Sequence, residues 1–236
     1  MRNKEIPDCR CYFISKPLRN QRYWGGSHME QSKNYFNEIA EDWDELRTSF
    51  FSEDVREVAY SLADVQKGKL AADIGAGTGF VSEGLLKAGL NVIAVDQSEN
   101  MLDYMKQKFK NYDGFSCVLG DSDSLPIDDE SVDYAFANMF LHHVIEPLKA
   151  IKELYRVLKP GGKLVITDLD EHNFTFLKTE QHDVWMGFAR ERVQDWFLQA
   201  EFKDIAISCV GCNCCSDSED SDEKTSISIF AAYGVK

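Results

Sequence analysis

The sequence predicts an α/β fold, a doubly wound, mostly parallel seven-stranded sheet with an antiparallel C-terminal hairpin and an N-terminal helical cap. Three observations predict it. From Leu70 onward, short apolar runs alternate with amphipathic stretches, the signature of strand, helix and strand repeated. Asp73-Ile74-Gly75-Ala76-Gly77-Thr78-Gly79 follows the first run, where a parallel sheet turns into its first helix. The last two apolar runs have no room between them for a crossover helix, so they pair antiparallel.

Taken in order, residues 1–28 stand apart. They hold six basic residues (Arg2, Lys4, Arg10, Lys16, Arg19, Arg22) against Glu5 and Asp8, a net of +4 that leaves −18 for the rest of a chain whose net charge is −14. With no apolar period, this segment is expected to be disordered or a non-native extension, with Met29 as a second candidate start. Residues 29–236 are expected to form one domain: a cap over 29–66, a ligand-binding core over 67–170, and a substrate-side region with the hairpin over 171–236. In the cap, Tyr35, Phe36, Ile39, Ala40, Trp43 and Leu46 share a helical face, and a second helix is predicted over 54–65. Strands are then predicted at 70–74, 91–95, 115–119, 132–137 and 163–169, with helices at 80–88, 99–109 and 145–158. A helix near 190–200, a strand near 202–210, a polar loop and a strand near 225–233 complete the reading.

Composition excludes some functions. A strongly negative chain repels a phosphate backbone, so no nucleic-acid partner is expected. No run of about 18 apolar residues occurs, so no membrane span is expected either, and a cytoplasmic location follows. A small-molecule substrate is left as the expected partner, for a monomer or a homodimer.

The glycine loop lets the backbone turn sharply and lie against a ligand. A dinucleotide fingerprint would require glycine at position 80, which is Phe80, and this argues against a nicotinamide cofactor. Asp96 ends the second strand about 20 residues on, where a carboxylate accepts from both hydroxyls of a ribose. Asp121 follows the third strand. Each aspartate alone is equally readable as a turn or cap residue, but Asp73, Asp96 and Asp121 at successive strand ends align three acceptors along one sheet edge.

Through YFNEIAEDWD, DIGAGTGF, AVDQSENML, GDSDSLPIDDESVDYAF and ELYRVLKPGGKLVI, residues 32–170 resemble the class I S-adenosylmethionine-dependent methyltransferases. The likeness is strongest to the ubiquinone/menaquinone-biosynthesis-like (type 11) branch. The resemblance implies a Rossmann-like fold, S-adenosyl-L-methionine as cofactor and methyl transfer to a small molecule. It further implies that Asp73, Gly75, Ala76 and Gly77 hold the methionine part, and Asp96 with Gln97 the ribose. Met101 would lie against the adenine and Asp121 with Ser122 would read its amino edge, while Asn138 would approach the cofactor's amino group and Tyr35 its carboxylate. Core packing of Met101 at helical spacing with Leu102 and Met105 is the alternative.

An activated methyl donor makes a general base optional; where the acceptor is protonated, His142 and His143 are the candidate catalytic residues, with an unremarkable loop role as the alternative. His172 and His182 lie near the same region, and Phe174, Phe176, Trp185, Phe188, Trp196 and Phe197 either border an apolar acceptor or form core. No metal is required. Cys212, Cys214 and Cys215, at an expected hairpin tip, are candidate soft ligands for zinc or a metalloid acceptor, although the spacing is not that of a paired zinc site. The alternatives are therefore a thiol or metalloid methyltransferase and a non-catalytic S-adenosylmethionine-binding module.

Overall fold

The computed structural model describes residues 28–40, 42–218 and 224–236. The reading of residues 1–28 lies outside these, save for His28, which opens the first helix.

The cap is three helices, α1 (His28–Ile39), α2 (Trp43–Phe50) and α3 (Asp54–Ala63). The single helical face expected from Tyr35 to Leu46 is broken between α1 and α2. Polar contacts tie the cap down. Ser98 Oγ donates to Asn37 Oδ1 at 2.6 Å, and Asn100 Nδ2 donates to the Asn37 carbonyl at 2.8 Å. Asp44 of α2 accepts from Thr78 Oγ1 at 2.5 Å and from Lys108 Nζ at 2.6 Å.

Beneath the cap run β1 (Leu70–Ile74), α4 (Phe80–Lys87), β2 (Asn91–Asp96), α5 (Glu99–Lys108), β3 (Phe115–Leu119), β4 (Val132–Asn138), α6 (Pro147–Val157) and β5 (Leu158–Leu169). They are followed by α7 (Phe176–Glu180), α8 (Arg190–Gln199), β6 (Lys203–Asp217) and β7 (Lys224–Val235). The sheet order is β3-β2-β1-β4-β5-β7-β6. The first five strands are parallel, while β7 runs antiparallel to both β5 and β6. β1 is central and reads as an unbroken buried run because helices cover both of its faces.

One core layer joins Val55, Ala59 and Leu85 to Phe136; the opposite layer joins Ile151, Leu154, Val193 and Phe197. α6 illustrates the code: Pro147, Ala150, Ile151, Leu154 and Val157 recur at three- and four-residue spacing and are buried, and Pro147 sits in the first turn where its missing N–H costs nothing. Truncating fully buried Leu154 to Ala would cost about 2–5 kcal/mol. α5 starts where Ser98 accepts the Met101 N–H at 3.1 Å.

The hairpin differs from its expected bounds. Pairing continues through Cys214↔Ile227, Cys215↔Ser226 and Asp217↔Lys224, so the stretch read as a polar loop is strand. The cross-strand ladder of backbone hydrogen bonds overrides side-chain polarity there. Among the described residues, no helix is long and apolar enough to cross a membrane.

Candidate active site

β1 has β2 on one side and β4 on the other, and chain order reverses between them. Such a switch point opens a crevice at the carboxyl ends of the strands. The glycine loop forms its floor. Gly75 (φ +65°) and Gly77 (φ +55°) adopt left-handed backbone, and a Cβ on Gly75 would lie 2.1 Å from Cδ2 of Phe140.

Asp96 joins the loop to the next turn. Its Oδ2 accepts the Gly77 N–H and its Oδ1 accepts the Ser98 N–H, both at 2.8 Å. Burial raises its carboxyl pKa, against the pull of these backbone hydrogen bonds. Asp121 makes an aspartate turn, accepting the Asp123 N–H at 3.1 Å. Asn138 Oδ1 accepts from Thr167 Oγ1 at 2.8 Å, which fixes the amide at the end of β4. Tyr35 stands edge-on to Phe36 and His182, each 5.2 Å between ring centroids.

Tyr35, Gly75, Ala76, Gly77, Asp96, Gln97, Met101, Asp121, Ser122 and Asn138 all line one cavity. Met101 is also buried, with Leu102 and Met105, on the core side of α5. Asp73 stands behind the glycine loop and is not among the residues that line the cavity. It is buried, and its Oδ2 accepts from the Ser82 N–H at 2.9 Å and from Ser82 Oγ at 2.6 Å, clamping β1 to the first turn of α4. Burial pushes its pKa up to about 6, opposed by Ser82 and assisted by the Asp96 charge.

His142 and His143 also border the cavity but differ electrically. Buried His142 has Nδ1 2.7 Å from Asp168 Oδ1 and Nε2 3.8 Å from Asp183 Oδ1. Burial opposes its charging, but the two carboxylates outweigh burial and raise its pKa to about 9. Burial and the adjacent His142 charge hold His143 well below the ordinary histidine range, and its Nδ1 has no hydrogen-bond partner. At neutral pH the pair thus carries one positive charge, on His142.

The ligand atoms of His142, His143 and Asp183 lie within 4.8 Å of one another, a spacing compatible with a divalent ion. The cysteines form no such group among the described residues. Cys214 sits on strand β6, buried, and lines the cavity, and Cys215, on the opposite side of the strand, is disulfide-bonded. The side chain of Cys212 lies outside the described residues. His172 and His182 do not line the cavity, and neither do Phe174, Phe176, Trp185, Phe188, Trp196 or Phe197. Phe176, Phe188 and Phe197 are core. The aromatic walls come instead from Phe36, Trp43, Phe50, Phe51, Phe80 and Phe140.

Sequence reasoning missed Asp168 and Asp183 as partners of His142. A carboxylate in the apolar run KLVITDL was a usable signal for Asp168, since a buried charge demands a partner. Asp183 carried no such signal.

Strand order, glycine loop and strand-end carboxylates together define a doubly wound α/β domain with a ligand crevice at its switch point. Residues 72–166 match the family model described as a methyltransferase domain. The chain thus carries a methyltransferase domain of the S-adenosylmethionine-dependent class, and it is similar to quinone-pathway methyltransferases. It is 34% identical over 170 residues to a chloroplastic 2-methyl-6-phytyl-1,4-hydroquinone methyltransferase of Spinacia oleracea, covering 70% of this chain and 49% of that protein. It is 36% identical over 156 residues to demethylmenaquinone methyltransferase of Staphylococcus epidermidis, covering 63% of this chain and 64% of that protein. The chain thus spans about half of the first relative and under two thirds of the second. Haemonchus contortus phosphoethanolamine N-methyltransferase 2, solved with a phosphomonomethylethanolamine ligand and S-adenosylhomocysteine, superposes with a TM-score of 0.71 over 89% of this chain and 60% of that one, at 17% identity. This last likeness is one of fold.

Proposed function

We propose that this protein transfers a methyl group from S-adenosylmethionine to a small, ring-bearing acceptor, with His143 taking the acceptor's proton. The observation that carries the reading is the convergence on one cavity of the glycine loop, the strand-end acceptors Asp96 and Asp121, and a neutral histidine with an unpartnered ring nitrogen. When bound, the cofactor supplies a methyl group already activated on a sulfonium.

The residues present fit that group. Asp96 uses one lone pair on each oxygen for backbone donors, and an ionised carboxylate has further sites to offer ribose hydroxyls. Asp121 and Ser122 offer a polar edge, and Asn138 is held in place by Thr167. Phe80 stands where a dinucleotide fingerprint needs glycine. The aromatic walls from α1, α2 and the β4 end exclude water and present flat surfaces to a planar acceptor. Alignment then supplies much of the rate, and His143 accepts a proton as the acceptor oxygen attacks. The hydroquinone in the name of one relative supports an aromatic hydroxyl compound as the acceptor class.

Calorimetric titration with S-adenosylmethionine and with NAD, followed by turnover on a panel of hydroquinones and other hydroxyarenes, tests the reading. Binding of the first ligand and release of S-adenosylhomocysteine are expected. Binding of NAD alone, or cofactor binding with no turnover across the panel, overturns it.

A further inference from the structure

On the α2 side of the cavity lies a buried arginine that the methyl-transfer chemistry does not use. The Arg47 side chain is 9% exposed and lines the cavity. Its guanidinium stacks 4.0 Å over the Phe80 ring and 5.6 Å over Phe51, which fixes its plane. A guanidinium carries five N–H donors. Here Nη2 reaches Glu53 Oε1 at 3.0 Å, while Nε and Nη1 are buried with no hydrogen-bond partner. Glu53 is itself half-exposed and shared with Arg56, so it neutralises Arg47 only in part.

A second orphan lines the same cavity. Thr225, at the start of β7, is 2% exposed and its Oγ1 has no partner. Its cross-strand neighbour Ser216 is already engaged, accepting from Gln181 Nε2 at 2.8 Å. α2 packs on β6, so the arginine and the hairpin belong to one end of the chamber. Buried polar groups are normally satisfied, and a partly compensated buried cation demands a counter-charge. Unpaired N–H donors on a guanidinium stacked against an aromatic wall are suited to a carboxylate or phosphate oxygen.

We propose that Arg47 and Thr225 form an anion-binding subsite that takes an acidic group of the methyl acceptor, so the acceptor is a ring compound bearing a carboxylate or a similar anion. This inference rests on the methyl-transfer reading and narrows its substrate class. The shared chemistry, a carboxylate, is also present on the cofactor, and the experiment separates the two sources.

Binding of 4-hydroxybenzoate and of its methyl ester is measured by calorimetry on the full chain saturated with S-adenosylhomocysteine. The wild type is expected to prefer the acid at least tenfold. Arg47→Gln should erase the preference, Arg47→Lys should keep part of it, and Thr225→Val should reduce it severalfold, all with S-adenosylhomocysteine affinity within twofold of wild type. Thermal melting identifies any variant that fails to fold, and the Thr225→Val and Arg47→Lys arms then decide. Equal or undetectable binding of the two probes by the wild type overturns the subsite. Loss of S-adenosylhomocysteine affinity in Arg47→Gln, with the acid preference retained, overturns it too and gives the arginine to the cofactor. Failure of the underlying reading looks different, because wild-type protein then does not bind S-adenosylhomocysteine at all.

Discussion

Asp168 holds His142 at two points: its Oδ1 lies 2.7 Å from the ring Nδ1, and its Oδ2 accepts the backbone N–H of the same residue at 3.3 Å and that of Leu141 at 2.8 Å. The carboxylate is completely buried, at the end of β5. It therefore orients the ring, keeps it protonated and pins the turn after β4 in a single arrangement. Burial, with the charge on His142 added to it, leaves His143 neutral.

Asp168→Asn removes the charge while keeping an acceptor. Loss of a charge-assisted hydrogen bond in a buried site should destabilise the protein by about 1.5–3 kcal/mol. The sign of the pH effect follows from the raised folded pKa. His142 rises from 6.5 to about 9, so its contribution to stability is full below pH 6.5 and is lost as pH climbs through 9. Melting temperatures between pH 6 and 10 should fall across that window in wild type and vary much less in Asp168→Asn. Equal slopes in the two proteins would show that His142 is not held charged by this carboxylate.

The activity profile is expected to follow the same pair. Because the His143 pKa lies well below 6.5, kcat/KM should show no acid limb between pH 6.5 and 8. Above about 9, where His142 loses its proton, the rate should change. His143→Ala should lower kcat by roughly 10²- to 10⁴-fold with cofactor affinity unchanged. Full activity in that variant would leave the acceptor's proton to solvent and remove His143 from the mechanism.

Asp96→Ala should weaken cofactor binding by about 1.5–3 kcal/mol, the scale of hydrogen bonds to a charged group. It should also lower the melting temperature, because the N–H groups of Gly77 and Ser98 lose their acceptor. Asp96→Asn retains an acceptor and should fall between the two. Calorimetric affinity equal to wild type would mean that Asp96 serves the loop alone.

At Gly75 a methyl group meets both left-handed backbone and the Phe140 ring, 2.1 Å away. Gly75→Ala should cost about 1–2 kcal/mol for the dihedral alone and more for the overlap. Phe140→Ala in the same chain should recover the steric part, leaving the dihedral part. A double mutant no more stable than Gly75→Ala would show that the ring moves aside freely. Gly77→Val, where the nearest atom to a Cβ is Trp43 Nε1 at 3.5 Å, should harm cofactor affinity more than expression.

The amino-acid sequence by itself determined the class of fold and the strand ends at which Asp96 and Asp121 stand. That information is local: short continuous apolar runs, helical faces such as Ile151 and Leu154, and glycines at Gly75 and Gly77 all act within a few residues of themselves. The cysteine-bearing stretch was misread because backbone pairing with β7, a contact between distant residues, decides its conformation. Only the tertiary structure decided which way each polar group faces and what it meets. Strand alternation turns Asp73 inward to Ser82 while Asp96 faces the cavity. Folding brings Asp183 within 3.8 Å of both histidines and lays α2 so that Arg47 borders the same chamber as Thr225. Charge states and unpaired donors depend on such through-space neighbours and on burial, quantities that exist only once the chain has packed.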